Sequence, residues 1–363
     1  MKNLLKKLLS PKMQAWLRTF LRTMDYFMLR LTARTQITST FYYTFLSRAF
    51  WREHRAVAFG RLFYEQDDRS QSGSHYLLRR NIHQLEKGLI MKPRRPLFAL
   101  DYIGETVRTY RQRLAECAAG SGDLEEILWA TDVLTDYFSA VGEHPVITDA
   151  RQSFAEVAAE AQTLKQESAV VKAPYKRDLQ RPLPVSYMQL LELAQRRRSV
   201  RWFLPQSVPR SLIDQAITVA ALSPSACNRQ PFVFHLFDDK SDITVQQAAS
   251  LALGTLGFNH NFPALAVIVG RQRAYFSERD RHLIYIDGAL AAMSFVLALE
   301  TLGLSSCCIN WADIEAQERK MANLLQLAPD ERVIMLVALG YPDPEERVPY
   351  SAKKMLHTLR RYR

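Results

Sequence analysis

The chain has 363 residues, 48% hydrophobic and 23% charged, with a formal net charge of +11. That length allows two domains, or one domain with a large extension, and the balance excludes collagen-like, coiled-coil and disordered classes. The positive excess points to anionic partners: nucleic acid, an acidic membrane surface or a phosphorylated ligand.

Residues 1–50 carry nine Lys or Arg against one acid, Asp25. The opening MKNLLKKLLSPK resembles the start of a signal peptide, but it lacks a long apolar core and a small-residue cleavage site, so export is not expected. From Trp16, residues Leu17, Phe20, Leu21, Met24, Phe27, Met28 and Leu31 recur at helical spacing, with Arg18 and Arg22 on another face. The favoured expectation is a helix whose stripe packs on the rest of the protein; the alternative is peripheral membrane contact through residues 1–34. No uninterrupted apolar run reaches the roughly 20 residues of a membrane-spanning helix. Four cysteines, at 117, 227, 307 and 308, form no CxxC pair or zinc spacing, which suits a reducing cytoplasm.

The stretch from Phe41 to Gln66 is aromatic and helical in character. A polar break, DDRSQSGS, separates it from HYLLRRNIHQLEKGLIMK, a predicted helix ending before Pro93. His83 and Glu86 share one turn of that helix. With no further ligands in view, a capped surface helix is expected there and no metal. Further helices are predicted over Tyr102–Ala118, Leu124–Val141 and 150–171. KAPYKRDLQRPLPVS, with three prolines and much charge, reads as a linker. The organisation predicted is a helical region over 1–171 (1–50 a basic amphipathic leader), a linker over 172–186, and a second domain over 187–363.

In that second part helices and strands intermix. Helices are predicted over Leu190–Arg197, Val208–Ala221 and Arg281–Leu302, the last ended by Gly303. Strands are predicted over Phe232–Phe237, Ala264–Val269, Ser306–Asn310 and Val333–Leu339. No β-α-β spacing repeats, so the class is α+β. The basic segments show no zinc finger and no glycine-aromatic RNA-binding run, so no nucleic-acid partner is expected.

Arg197-Arg198-Ser199-Val200-Arg201 stands where a helix gives way to an extended segment, a place where guanidinium forks and a hydroxyl can grip a phosphate. A solvated charged face is the plainer reading of the same run. SPSACNRQPF, residues 223–232, is a turn feeding a strand, and its small and amide side chains could lie against a flat ring. Alone, neither segment decides anything.

In this order the two segments resemble the nitroreductase family of FMN enzymes. Gly257-Phe258-Asn259 before a strand, Asp287-Gly288-Ala289 opening a long helix that ends Leu302-Gly303-Leu304, and Ala338-Leu339-Gly340-Tyr341-Pro342 agree with it, over about residues 185–363. The resemblance implies an α+β nitroreductase-like FMN-binding fold, a central, mostly antiparallel sheet flanked by helices, preceded here by a helical N-terminal region. It also implies a homodimer with FMN at the interface, NADH or NADPH as hydride donor and a small-molecule acceptor. By similarity Arg197, Arg198 and Ser199 would hold the phosphate, helped by Lys353 or Lys354. Arg201 would lie toward the ribityl chain and the pyrimidine side, where a cation raises the reduction potential. Asn259 would meet the pyrimidine edge, and Pro224, Ser225 and Asn228 would reach the cofactor from the other subunit. Backbone N–H groups among Cys308, Ile309 and Asn310, with Asn310 preferred, would face flavin N5. The adjacent Cys307 and Cys308 depart from the family's usual small and proline residues; ordinary free cysteines are expected rather than a redox pair. No side chain is assigned as general acid or base, because the cofactor carries the hard chemistry, and His235 is expected to be a packed strand residue.

The Asn81–Leu89 segment also resembles N-terminally extended nitroreductase-like proteins of bacterial polysaccharide-biosynthesis systems. That implies, as an alternative, a flavoenzyme acting on a polysaccharide precursor. A membrane-associated binding protein without turnover is the third reading.

Overall fold

A computed structural model describes residues 10–69, 75–164 and 170–363. Lys6 and Lys7 of the leader, and parts of the predicted polar break and of the 150–171 stretch, lie outside the described residues. Backbone contacts divide the chain between Arg55 and Ala56.

In the first unit, α1 (Pro11–Thr32) begins with Ser10 as N-cap, its hydroxyl accepting from the Met13 N–H, and Pro11 in the first turn. Thr35 and Thr38 form a reciprocal capping box for α2 (Gln36–Phe41), which runs into a π-turn over Tyr42–Leu46. Trp16 is 65% exposed, and Phe20, Leu21, Met24 and Phe27 are exposed as well. Most of that stripe is exposed, although Leu17, Met28 and Leu31 within it are half-buried.

The second unit begins within α3 (Trp51–Arg69). A helical layer follows: α4 (His75–Leu89), α5 (Ile103–Ala118), α6 (Leu124–Ala140) and α7 (Pro145–Thr163). Its core gathers Leu78, Ile82, Leu85, Val107, Tyr110, Leu134 and Tyr137, apolar positions three and four apart on each helix. Asp123 caps α6 by accepting from the Glu125 and Glu126 N–H groups. Residues 170–186 carry no helix or strand.

Beyond it lie α8 (Tyr187–Arg196), α9 (Arg210–Ala221), β1 (Phe232–Phe237), α10 (Val245–Ala249), β2 (Ala264–Arg271), α11 (Leu283–Thr301), β3 (Ser305–Asn310), α12 (Glu315–Leu325), β4 (Glu331–Gly340) and α13 (Leu356–Leu359). The sheet is antiparallel throughout, in the order β1-β2-β4-β3. Its two faces carry separate cores. One includes Leu265, Val267, Cys307 and Ile309 with Met321 of α12, and the other sets Ala264, Ala266 and Ile268 against α9 and α11. The fold is α+β, as expected.

By length and composition α11 passes for a membrane span, yet Ile284, Ala291, Phe295 and Leu299 are buried in the protein core. Gly288 lets it approach the sheet, since a Cβ there would stand 2.4 Å from Ile334 Cδ1. It ends in a Schellman turn: Gly303 at φ 76°, with the Leu304 N–H donating to Leu299 O at 2.9 Å.

Candidate functional site

The first basic segment is extended where α8 ends. Ser199 pairs with Ser306 of β3 in a parallel bridge, and the Val200 N–H donates to Ser306 O at 3.0 Å. That bond places Arg197, Ser199 and Arg201 beside the edge strand of the sheet. In an antiparallel strand the N–H and C=O of one residue point the same way, alternating along the chain. Because Ser306 turns its carbonyl away from β4, the backbone groups of Cys308 and Asn310 do so too, whereas those of Ile309 face β4. Of the three positions suggested for the flavin, two thus offer N–H groups at the sheet edge.

Side chains alternate as well. Cys307 and Ile309 are buried, while Cys308 and Asn310 are exposed. Burial pushes both thiols up; the Arg201 and then the Arg197 charge oppose this at Cys307, and Arg197 alone does so at Cys308. The two thiols point to opposite faces and are free. Neither has the depressed pKa of a reactive cysteine.

Two buried polar atoms here lack a protein partner: Arg197 Nε and Ser306 Oγ. Unsatisfied buried polar atoms are uncommon, and each asks for a physical account. Glu300 is the nearby acid. Burial raises its carboxyl, which accepts from Ser305 Oγ at 3.2 Å and lies 3.9 Å from Arg196 Nε. Arg198 reaches only the Arg197 carbonyl, at 3.5 Å.

Arg201 lies over the Phe258 ring, 5.7 Å from its centroid. Asn261, which was not among the suggested residues, holds this segment. Asn261 Nδ2 donates to Arg201 O at 3.0 Å, and its Oδ1 accepts from the Phe203 N–H at 3.0 Å. Asn259 is half-buried at the start of the same short 3-10 turn. The sequence signal for Asn261 is a second amide two residues beyond the first.

In the other loop, Pro224 is exposed, Ser225 Oγ accepts from the Gln230 N–H at 3.0 Å, and Asn228 donates its N–H to Ser225 O at 3.0 Å. Cys227, Asn228 and Gln230 all hold φ near +50°, a left-handed backbone that costs a side-chain-bearing residue on the order of 1 kcal/mol. Two anchors hold this shape. Asp287 of α11 accepts from the Ala226 N–H at 3.0 Å and from the Tyr275 hydroxyl at 3.1 Å. From α4, Arg79 Nε donates to Asn228 O at 2.7 Å. In the sequence Asp287 is named only as part of the motif that opens the long helix, and Arg79 is not singled out. Lys353 and Lys354 stand on the exposed C-terminal tail.

The family model described as the nitroreductase family matches residues 194–341. Residues 194–341 are a nitroreductase family domain. The chain is 27% identical over 161 residues to a candidate NADH dehydrogenase/NAD(P)H nitroreductase of Archaeoglobus fulgidus, covering 44% of this chain and 88% of that protein. It is 24% identical over 189 residues to an iodotyrosine deiodinase of Hydra vulgaris, covering 45% and 68%. Among solved structures, a nitroreductase family protein from Streptococcus pneumoniae TIGR4 matches at 23% identity and a TM-score of 0.41, over 48% of this chain and 100% of that one. The family domain supports an oxidoreductase, and a helical N-terminal region lies outside the family match.

His83 and Glu86, the other candidates, pair with each other. His83 Nδ1 lies 3.1 Å from Glu86 Oε2, and the Trp129 indole donates to Glu86 Oε1 at 3.0 Å. Burial lowers the pKa of His235, which is half-buried in β1.

Proposed function

We propose that the protein is an FMN-dependent NAD(P)H oxidoreductase that passes reducing equivalents to a small-molecule acceptor in two half-reactions. The observation that carries this reading is the pair of partnerless buried atoms, Arg197 Nε and Ser306 Oγ, beside the open edge of β3. A phosphate would satisfy both, with Ser199 and Arg198 adjacent and Lys353 or Lys354 brought in from the tail. FMN, when bound, supplies the two-electron chemistry. The chain's part is to hold it: the Cys308 and Asn310 N–H groups at the strand edge, Arg201 near the pyrimidine side, and Asn259 as a further polar group. Ser225 and Asn228 would come from the partner of a homodimer. Ile286, Leu290 and Met293 support that assembly, forming an exposed stripe at i, i+4 and i+7 on α11.

Purified protein reconstituted with FMN should be yellow and should bleach when NADH or NADPH is added without oxygen. Protein that takes up no FMN would sink the reading.

A second location for the protein is favoured by α1. Its exposed Trp16, Phe20, Met24 and Phe27, with Arg18 and Arg22 nearby, suit peripheral contact with an anionic membrane. Full-length protein should sediment with phosphatidylglycerol-containing vesicles but not with neutral ones. Replacing Trp16 and Phe20 by Ser should abolish sedimentation; retention by the variant would refute the contact.

A further inference from the structure

The helical layer and the family domain meet at the loop that the flavin reading assigns to the cofactor. Arg79, in the second turn of α4, is only 8% exposed. Its Nε donates to Asn228 O at 2.7 Å and its Nη2 to Gln230 Oε1 at 3.1 Å. Those two loop residues are among the three with left-handed backbone, so one guanidinium clamps the strained stretch at two points. The fork geometry makes this possible, since a planar guanidinium presents parallel donors where an ammonium presents a point charge.

Arg79 is itself held. Its guanidinium lies 5.3 Å from the Trp129 ring centroid, and its Nη1 stands 3.7 Å from Glu126 Oε1. The Glu126 side chain is fully buried on α6, and His75 Nδ1 also approaches it, at 2.8 Å. A buried carboxylate is costly unless cations surround it. Here that cost is offset by groups that fix the direction of Arg79. Gln230 is braced from its other side, its Nε2 donating to Ala221 O at 2.7 Å.

We propose that Arg79 is a positioning residue for the cofactor: it holds the 225–230 loop in the shape that presents Ser225 and Asn228 to the flavin. The helical layer is then a working part of the flavin site. This rests on the flavin reading above. It differs from it in placing a determinant of cofactor affinity outside the family domain. Arg79→Ala frees the loop to leave its left-handed conformation and leaves the Asn228 carbonyl short of a partner. Arg79→Lys restores one donor but not the fork.

The test uses the full chain. FMN affinity is read from quenching of flavin fluorescence, the environment of the ring from its visible spectrum and midpoint potential, and folding from far-ultraviolet circular dichroism. Arg79→Ala should weaken FMN binding at least tenfold and shift the flavin bands and potential, with Arg79→Lys between it and wild type. Gln230→Ala, which removes one arm of the clamp and leaves Arg79 on Glu126, should give a smaller shift in the same direction. Should Arg79→Ala not fold, Gln230→Ala decides alone. A folded Arg79→Ala protein, or a Gln230→Ala protein in its place, with wild-type affinity, spectrum and potential would overturn the proposal, even if its melting temperature fell. Wild type that binds no FMN would overturn the flavin reading and this inference with it.

Discussion

Asn261 ties itself to Arg201 by donating from its side-chain amide to the Arg201 carbonyl oxygen at 3.0 Å, sixty positions away in sequence. The same side chain accepts from the Phe203 N–H. One amide thus joins the backbone bonds of Val200 to Ser306, Leu204 to Tyr341 and Asp343 to Trp202 in setting the path of the segment that carries the site's cations.

Asn261→Ala should destabilise the protein by about 1–3 kcal/mol, because the Phe203 N–H and the Arg201 carbonyl lose their partner. FMN affinity should fall with it. Urea melts and fluorescence titration of the same preparation would show both effects; a loss of stability with unchanged affinity would separate Arg201 from the cofactor.

Arg197→Gln should behave in the opposite way. Its Nε has no protein partner to lose, so the melting temperature without FMN should hardly change. Loss of a charge-assisted bond to phosphate, worth about 1.5–3 kcal/mol, should weaken FMN binding by roughly ten- to a hundredfold. Calorimetric titration with FMN and with riboflavin would localise the loss, since riboflavin, lacking the phosphate, should bind both proteins equally.

At Asp287, burial pushes the carboxyl above its ordinary value of 3.8. Ionising it therefore costs more in the folded protein than in the unfolded chain, and stability from this group falls as pH rises through the raised folded value. Asp287→Asn keeps an acceptor for the Ala226 N–H and escapes that cost, so it should gain on wild type between about pH 4 and pH 7. Asp287→Ala should lose about 1–3 kcal/mol at every pH. Denaturation free energies at the two ends of that range would check the sign.

Asp238 titrates the other way. Hydrogen bonds from Arg210, at 2.7 and 2.9 Å, hold its carboxyl well below the usual carboxylate range. The stability it lends is present above the ordinary value of 3.8 and drains as pH falls toward the folded one. Arg210 is largely exposed, so the effect should be modest. Asp238→Asn should flatten the acid limb of the stability profile; an unchanged limb would place acid sensitivity elsewhere.

Leu290→Glu puts a charge in the middle of the exposed α11 stripe. Sedimentation should show dimer giving way to monomer, and FMN retention should drop because half of each site is lost. A monomeric wild type would refute the assembly.

The strands and α11 were legible because their signals are local. Ala264–Val269 is a short apolar run that lies buried on both faces, and Gly303 marks a helix end that needs a left-handed residue. The bond between Val200 and Ser306 joins positions far apart in the chain and leaves no local signal. The break at 47–50, inside an aromatic stretch that reads as continuous helix, gives no composition signal. For α1 a periodic apolar face shows that something covers it, not what, so the sequence leaves packing and membrane contact both open. Arg79 could not be found from sequence: its partner lies 149 positions away, and an arginine in a basic amphipathic helix looks like a solvated one.

Tyr76 of α4 packs with Ala274, Tyr275 and Ile284 in a small core of its own, on the side of the family domain where Arg79 makes its bonds. A fragment trimmed to residues 187–363 would carry a raw apolar scar there and a loop stripped of one anchor. Its failure to retain cofactor would say little about catalysis in the intact chain, and engineering of this enzyme is better done by point substitution than by excision.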